Sequence, residues 1–289
     1  MLHESFIAHL EQICSEIENK PVKLRAYETV YGGDINRTYR LAMSDKDYFI
    51  KVNTAEKIDM FEKETQSLNI LSSTDSFRIP NTYAFEIFED KSFLLMEFIE
   101  SLDNASNPKN FAENLVRLHQ THQNYYGLDK NNYIGKLYQK NTLNDNWVDF
   151  FIRNRLQFQI DLAKDSISTE LKKQFEKLYQ KLPEILSVEK ASLLHGDLWN
   201  GNCFYDQQGQ AVLFDPAIYY GHRETDLAMM SLFGGFDPKI YARYESIFPL
   251  EPEWKERIRI YQLYPLLVHF NLFGNSYLTP IRRILKLFV

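Results

Sequence analysis

The chain has 289 residues and a formal net charge of −6, so we expect no nucleic-acid partner, which would require clustered basic residues. Its 44% hydrophobic and 25% charged residues are typical of globular proteins, and its length fits one large domain or two lobes. Cys14 and Cys203 are too few for a disulfide framework, the start lacks a signal-peptide pattern, and no apolar run is long enough to cross a membrane. We therefore expect a cytoplasmic protein without a membrane partner.

The first hundred residues predict a small sheet with two helices. Apolar residues recur every three or four positions from Leu2 to Ile17, which predicts an amphipathic helix that ends before Pro21. Short runs rich in aromatic and β-branched residues follow and predict strands, with one helical stretch between the third and fourth runs. The runs are LRAYETV (24–30), TYRLAM (38–43), DYFIKV (47–52), TYAFEIFE (82–89) and SFLLMEFIE (92–100), and the helical stretch is EKIDMFEKETQSLNIL (56–71).

A polar, turn-rich segment, 101–110, follows the last predicted strand. It predicts a boundary between an N-terminal lobe, residues 1–100, and a C-terminal lobe, residues 101–289. Two lobes leave a cleft between them, which is the usual place for a ligand.

The C-terminal lobe has mainly helical patterning. Its first helix is expected at Pro108, directly after Asn107, and Pro265 and Pro280 are expected to interrupt the helical spacing near the end of the chain. The segments SLLHGD (192–197), NCFYD (202–206) and QAVLFD (210–215) are short and strand-like. The expected fold class is therefore α+β, with a small antiparallel sheet lobe and a larger, mainly helical lobe.

The segment HGDLWNGN has the spacing H-x-D-x-x-x-x-N of a kinase catalytic loop. Phosphoryl transfer requires a carboxylate near the acceptor hydroxyl and metal ligands that bridge the phosphates. We expect Asp197 to be the catalytic base, and Asn202 and Asp215 to bind Mg²⁺, which needs only a few protein oxygens. H-x-D alone occurs often by chance, so the interpretation depends on the whole loop, the second acid and the strand before each. We expect His195 to brace the loop through hydrogen bonds.

The N-terminal lobe offers residues that could bind ATP. Lys51 lies on the third predicted strand, where a kinase places its phosphate-binding lysine, and Glu64 on the next helix is its expected partner. Each alone is more simply a surface residue, but together with the loop they favour a nucleotide site. Gly32 and Gly33 form a turn whose amides can approach phosphate, with Asn36 nearby, although such a turn is often an ordinary hairpin.

The end of the last predicted strand is the expected hinge. There the backbone of Glu97, Phe98 and Ile99 would pair with adenine, although a core strand that leads into a loop explains the same residues. Two features depart from protein kinases: Gly196 stands where those enzymes carry an Arg, and no A-P-E element follows Asp215. These differences favour a small-molecule kinase.

HGDLWNGN, DPAIYYGHRETDLAMMSLFGGF and LYPLLVHFNLFGNSYL closely resemble the fructosamine kinase (ketosamine 3-kinase) family, and GGDIN, KVN, MFEKE and LLMEFIE extend the resemblance over nearly the whole chain. DPAIYYGHRETD is the specific part, since H-G-D is shared with aminoglycoside phosphotransferases and choline kinases. The resemblance implies a protein-kinase-like fold that uses ATP and Mg²⁺. It also implies phosphorylation of the 3-hydroxyl of ribulosamines and fructosamines, whose unstable 3-phosphate then leaves the amine, so that the amine or protein is deglycated.

The resemblance also implies roles for individual residues. Some relatives carry a Cys that gives redox-sensitive dimers at the position of Asp34, so redox control is in doubt here and we expect a monomer. The implied assignments are Asp197 as the base, Asn202 and Asp215 as metal ligands, Lys51 as the ATP lysine, and Gly32, Gly33 and Asn36 as the phosphate loop.

An aromatic group flanks the predicted acceptor side of Asp197. Trp199, Tyr219, Tyr220 and His222 are candidate substrate residues, because aromatic faces suit both sugar C–H groups and an amine cation. Core packing is the alternative, and we expect it for one of the two tyrosines.

Other polar residues near these motifs have structural or open roles. Arg223, Glu224 and Asp226 are expected to form an internal ion pair that shapes the loop, with a structural role favoured for Asp226. For His269 and Asn271 two roles stay open, namely lining the pocket wall and ordinary helix packing.

Two alternatives to a ketosamine kinase have distinct signatures. An aminoglycoside- or choline-type phosphotransferase should have a strongly acidic acceptor pocket. A non-catalytic binding module with a kinase fold should lack catalytic groups, but Lys51, Asp197, Asn202 and Asp215 are all present. The expected substrate is a glycated amine, either free or on a protein.

Overall fold

A computed structural model describes residues 2–30, 35–103 and 105–289 of the protein. The N-terminal lobe consists of α1 (Glu4–Glu18), β1 (Leu24–Thr29), β2 (Arg37–Met43), β3 (Asp47–Thr54), α2 (Ile58–Ser72), β4 (Thr82–Phe88) and β5 (Lys91–Glu97). Within the described residues, its strands form one antiparallel sheet in the order β1-β2-β3-β5-β4. The strands and helices predicted for this lobe are all present.

Strand β3 directs its side chains alternately to the two faces of the sheet, as strand geometry requires. Tyr48, Ile50 and Val52 are buried in a small core that also contains the apolar face of α1. Lys51 lies on the opposite face, where it is buried and reaches Glu64 on α2. The alternation of this strand therefore directs the lysine towards the cleft.

Helix α2 belongs to both lobes. It follows β3 in the N-terminal lobe, but its apolar stripe of Phe61, Leu68 and Leu71 is buried in the core of the C-terminal lobe. The position of α2 therefore depends on contacts with the C-terminal lobe as well as with its own sheet.

The C-terminal lobe is mainly helical. Its elements are α3 (Pro108–His119), β6 (His122–Gln123), β7 (Asn132–Ile134), β8 (Leu137–Gln139), α4 (Trp147–Phe150), α5 (Phe158–Ala163), α6 (Thr169–Ile185), β9 (Ala191–Leu194), β10 (Cys203–Tyr205), β11 (Ala211–Leu213), β12 (Tyr219–Gly221), α7 (Glu224–Leu232), α8 (Pro238–Ile247), α9 (Trp254–Tyr261), α10 (Leu263–Phe273) and α11 (Leu278–Phe288). A π-helical segment, Phe151–Gln157, joins α4 to α5. The short strands pair as β12-β9-β6, β10-β11 and β7-β8. The predicted α+β class with two lobes is confirmed.

Prolines mark helix starts in this lobe. Pro108 is the first residue of α3, and the side chain of Asn107 caps that helix by accepting a hydrogen bond from the backbone N–H of Asn110 at 3.2 Å. Pro265 and Pro280 each occupy the third position of a helix, α10 and α11. Because the first-turn N–H groups have no partner within the helix, proline is tolerated there.

Residues 98–107 connect the sheet lobe to the helical lobe, and the division at residue 100 stays a prediction.

Among the described residues, every helix is too short or too polar to span a bilayer.

Candidate active site

The catalytic-loop motif follows β9, and its glycine is required by geometry. Gly196 has a φ of 81°, and a Cβ at this position would lie 2.0 Å from the carbonyl oxygen of Ala217. A side chain cannot fit there, which explains why this loop cannot carry the Arg of protein kinases before Asp197. The imidazole of His195 is buried, with Nε2 3.1 Å from the carbonyl oxygen of Phe214, so it contacts the strand segment that precedes Asp215.

A single buried carboxylate holds the backbone of this loop. Asp226, near the start of α7, accepts hydrogen bonds from the backbone N–H groups of His195 (2.8 Å) and Gly196 (3.0 Å). Its Oδ2 also lies 3.2 Å from Nε2 of His119 on α3. Hydrogen bonds to a charged acceptor contribute about 1.5–3 kcal/mol each, so Asp226 is a strong structural constraint on the loop.

The neighbours of Asp226 do not form the predicted internal ion pair. Arg223 instead binds Glu189 (Nε to Oε2, 2.8 Å), and Glu224 binds Arg257 (Oε1 to Nη2, 2.7 Å). Both pairs lie within the C-terminal lobe. Arg223 and Glu224 are adjacent in sequence, but each side chain binds a partner from another part of the chain.

Asn202 connects the base candidate to the second acid. Its Nδ2 lies 2.9 Å from the carbonyl oxygen and 3.1 Å from Oδ2 of Asp197, and 3.4 Å from the carbonyl oxygen of Asp215. Because the amide nitrogen faces these oxygens, the side-chain oxygen of Asn202 points away from them and is the atom left for a metal ion. One amide oxygen and one Asp215 carboxylate form a hard-oxygen set that suits Mg²⁺.

Asp215 and the N-terminal lobe meet at Lys51. Asp215 has a φ of 53°, an uncommon conformation for a residue with a side chain, and its carboxylate forms an ion pair with Lys51. Lys51 also binds Glu64 with an Nζ to Oε1 distance of 2.5 Å. Although burial disfavours the ammonium ion, Asp215 and Glu64 raise the pKa of Lys51, so the lysine stays charged.

Asp197 is electrostatically suited to accept a proton near neutrality. Burial in the cleft, reinforced by the negative charge of Asp215, raises the pKa of Asp197 to about 7, while the hydrogen bond from Asn202 opposes this shift. A general base works best when its pKa lies near the working pH.

These groups line one cavity of about 540 Å³ between the lobes. The predicted residues Asn36, Lys51, Glu64, Asp197, Trp199, Asn202 and Asp215 all line it. The other lining residues are Ile35, Thr38, Met60, Phe61, Lys63, Ser67, Asn132, Tyr133, Ile134, Gly135, Lys136, Pro216, Phe233, Val268, His269, Leu272, Phe273 and Tyr277. The volume is in the range of small-molecule binding sites.

Three of the four aromatic substrate candidates do not line this cavity. Tyr219 is buried beneath the guanidinium of Arg155, whose Cζ lies 3.8 Å from the ring centre. His222 is fully buried, with Nε2 3.1 Å from Oγ of Ser187. Tyr220 is half-buried on β12. The first two are core residues because β12 pairs with β9 inside the lobe, and only Trp199 faces the acceptor side.

The predicted adenine and phosphate contacts are described only in part. Glu97 donates its backbone N–H to the carbonyl oxygen of Asn81 at 2.8 Å, and its carboxylate pairs with Arg78. The cavity described above does not reach Glu97, Phe98 or Ile99, so their contact with adenine stays a prediction. Gly32, Gly33 and Asp34 lie outside the described residues.

Two parts of the wall contain residues that were not predicted. The β7–turn–β8 segment contributes Tyr133 and Lys136, and an aromatic wall comes from Phe233, which follows α7, and from α10 with the residues after it. In that wall the ring centres of Phe233 and His269 are 4.8 Å apart. The helical spacing around His269 gave an ambiguous signal, whereas Asn271 packs against Gln159 and stays outside the cavity.

Comparison with known proteins assigns the family. The family model described as fructosamine kinase matches residues 6–289. The chain belongs to the fructosamine kinase family. A probable ketoamine kinase of Enterococcus faecium is 43% identical over 90% of this chain and 94% of its own. The protein-ribulosamine 3-kinase of Arabidopsis thaliana chloroplasts is 32% identical over 90% of this chain and 81% of its own.

A solved structure of this family has the same fold as the protein. A probable fructosamine-3-kinase of Haemophilus somnus is 30% identical, with a TM-score of 0.88 over 97% of this chain and 96% of its own. The predicted protein-kinase-like fold is thereby confirmed.

Proposed function

We propose that the protein transfers the γ-phosphoryl group of ATP to the 3-hydroxyl of ketosamines, namely ribulosamine and fructosamine adducts of amines, which leads to deglycation. Family membership and the names of its relatives identify the chain as an ATP-dependent kinase of ketosamines. The observation that carries the proposed mechanism is the meeting of Asp197, Asn202 and Asp215 with the Lys51–Glu64 pair in one cleft. In this proposal the enzyme is a cytoplasmic monomer.

Asp197 acts as the general base in this mechanism. It lies on a loop whose backbone is fixed by Asp226, so the carboxylate has a defined position relative to an acceptor hydroxyl in the cleft. Its raised pKa lets it take the hydroxyl proton as the oxygen attacks phosphorus. Lys51 provides a permanent positive charge for the phosphate oxygens, and Glu64 orients it.

Asn202 and Asp215 would hold Mg²⁺, since both present oxygen atoms at the phosphate end of the cleft. The bound ion would neutralise charge on the β- and γ-phosphates. Within the part of the chain that the structure describes, no cluster of three or more His, Cys, Asp or Glu residues forms a metal site of its own. A two-residue set is what Mg²⁺ needs when phosphate and water supply its other ligands.

The acceptor end of the cavity favours a sugar with a single amine over a polycation. Among the described lining residues the carboxylates are Glu64, Asp197 and Asp215, all at the catalytic end. The opposite wall is aromatic, with Trp199 and Phe233 in edge-to-face contact at 6.1 Å between ring centres. An aminoglycoside would require further carboxylates there. A choline-type substrate would suit an aromatic wall, but the family match favours ketosamines.

The test is a substrate panel with ATP and Mg²⁺. Ribulosyl-lysine, fructosyl-lysine, a glycated protein, choline and an aminoglycoside are compared by ATP consumption, with phosphorus NMR to locate the phosphate on the sugar. We expect turnover of at least one ketosamine, a 3-phosphate product, and loss of this turnover in Asp197→Asn. A folded protein that phosphorylates choline or the aminoglycoside, but none of the three ketosamines, would refute the proposal.

A further inference from the structure

The β7–turn–β8 segment, Asn132–Gln139, lies between the two lobes, and we name it the bridging hairpin. Five of its residues, 132–136, line the cleft. At its tip, a Cβ added to Gly135 would lie 3.3 Å from side-chain atoms of both Ile35 in the N-terminal lobe and Leu272 on α10. The hairpin therefore contacts both lobes at the entrance to the site.

The base of the bridging hairpin is anchored to the backbone segment that follows Asp215, the candidate metal ligand. The side-chain amide of Asn132 donates to the carbonyl oxygen of Ile218 at 2.9 Å, and that of Gln139 donates to the carbonyl oxygen of Ala217 at 3.0 Å. These carbonyls belong to the segment that directly follows Asp215 and Pro216. Asn132 and Gln139 are almost fully buried and also bind each other at 2.8 Å, so the anchor is rigid.

The first strand of the hairpin, β7, also reaches α2. The hydroxyl of Tyr133 donates to Oδ2 of Asp59 at 2.8 Å. Asp59 lies in the first turn of α2, and Glu64 lies on the same helix a little more than one turn later. The contact therefore joins the helix that carries the partner of Lys51 to the segment that carries Asp215.

Because α2 must keep one orientation for Glu64 to hold Lys51, a tether at its first turn acts directly on the nucleotide site. We propose that Tyr133 is a positioning residue, whose hydroxyl bond to Asp59 fixes α2 against the C-terminal lobe and keeps the Lys51–Glu64 pair aligned with Asp215. This inference rests on the proposed function for its kinetic effects. No A-P-E element follows Asp215 in the sequence, and in this proposal the hairpin provides a constitutive link.

Tyr133→Phe removes the hydroxyl alone, and the hairpin provides a matched control. Tyr138 pairs with Tyr133 across the two strands, is 45% exposed, and contacts Asn131 instead of α2. We expect Tyr133→Phe to lower kcat/KM for ATP about three- to tenfold, as for one lost hydrogen bond of ordinary strength at an exposed position, with an unchanged KM for the ketosamine. Tyr138→Phe should leave both parameters unchanged.

A double-mutant cycle separates this link from other effects of Asp59. Asp59 also lies 3.5 Å from Nζ of Lys63, so Asp59→Ala, which leaves no acceptor for the tyrosine hydroxyl, removes two interactions. If the proposal is right, Tyr133→Phe has no further effect on kcat/KM for ATP in the Asp59→Ala background. Full additivity of the two substitutions would overturn it.

Hydrogen exchange gives a readout that does not depend on turnover. In the full-length protein without substrate, Tyr133→Phe should speed exchange of the amides of α2 (58–72) at least about threefold and leave those of α6 unchanged. Unaltered exchange in α2 together with unaltered kcat/KM for ATP would overturn the inference. Absence of ketosamine turnover in the unsubstituted protein would instead refute the proposed function, and faster α2 exchange would still support the tether.

Discussion

The buried imidazole of His222 makes a quantitative prediction about stability at acid pH. Its side chain is fully buried between Trp147 and Tyr261, with the Tyr261 ring stacked at 5.4 Å between centres. Burial lowers the pKa of His222 from 6.5 to about 4. Among charged neighbours, Glu189 opposes this shift, and Arg223, Arg257 and His119 reinforce it. The folded protein therefore holds the neutral imidazole over a pH range in which the unfolded chain is already protonated.

The sign and size of the effect follow from linkage. Between pH 6.5 and 4 the unfolded state binds the extra proton, so the stability present above pH 6.5 is lost as the pH falls towards 4. A shift of about 2.5 pH units corresponds to about 3 kcal/mol. In His222→Gln this acid-dependent loss disappears, because glutamine does not titrate. Urea unfolding at pH 7, 6, 5 and 4 measures the free energy of unfolding of both proteins.

We expect the difference in the free energy of unfolding between the two proteins to change by about 3 kcal/mol from pH 7 to pH 4, in favour of the variant. Equal pH dependence in both proteins would refute the argument. At pH 7.5 we also expect ketosamine turnover within about twofold of the unsubstituted enzyme, because His222 lies outside the cavity. A selective rise in the KM for the ketosamine would restore the substrate role first expected from the sequence.

Three further predictions concern the catalytic loop. Asp197→Asn should lower kcat about 10²–10⁴-fold with the fold intact by circular dichroism, and near-normal turnover would exclude Asp197 as the base. Gly196→Ala should lower kcat at least about tenfold and the free energy of unfolding by about 1–3 kcal/mol, because its Cβ meets a carbonyl. Gly209→Ala, also at positive φ but in open space, is the matched control and should keep kcat. Asp215→Asn should raise the Mg²⁺ concentration needed for half-maximal rate, and an unchanged Mg²⁺ profile would contradict its role as a ligand.

The sheet lobe was predictable because its signals are local. Short runs rich in aromatic and β-branched residues, separated by turns, define β1 to β5, and the spacing from Lys51 to Glu64 places both on the inner side of one strand and one helix. The catalytic loop was predictable for the same reason, since Asp197 and Asn202 lie within one short motif.

The acceptor wall and the bridging hairpin were not predictable, because their positions depend on long-range contacts. Asn132 and Gln139 have the composition of surface residues, but each is buried against backbone carbonyls more than seventy residues away. Core packing was expected for one of the two tyrosines and is found for Tyr219, but the sequence placed His222 on the acceptor side for the opposite reason. Both residues follow the motif closely in sequence, but the pairing of β12 with β9 turns them into the core.

The carboxylate of Asp226 holds the catalytic loop independently of the residues that contact the acceptor, so substrate choice can change without a change in catalysis. It fixes the amides of His195 and Gly196 from inside the protein, whereas the aromatic walls that meet the acceptor come from Trp199, Phe233 and α10. Evolution or a laboratory library can therefore alter Phe233 or Leu272 and redirect the enzyme to other glycated amines, while the phosphoryl-transfer machinery stays as it is.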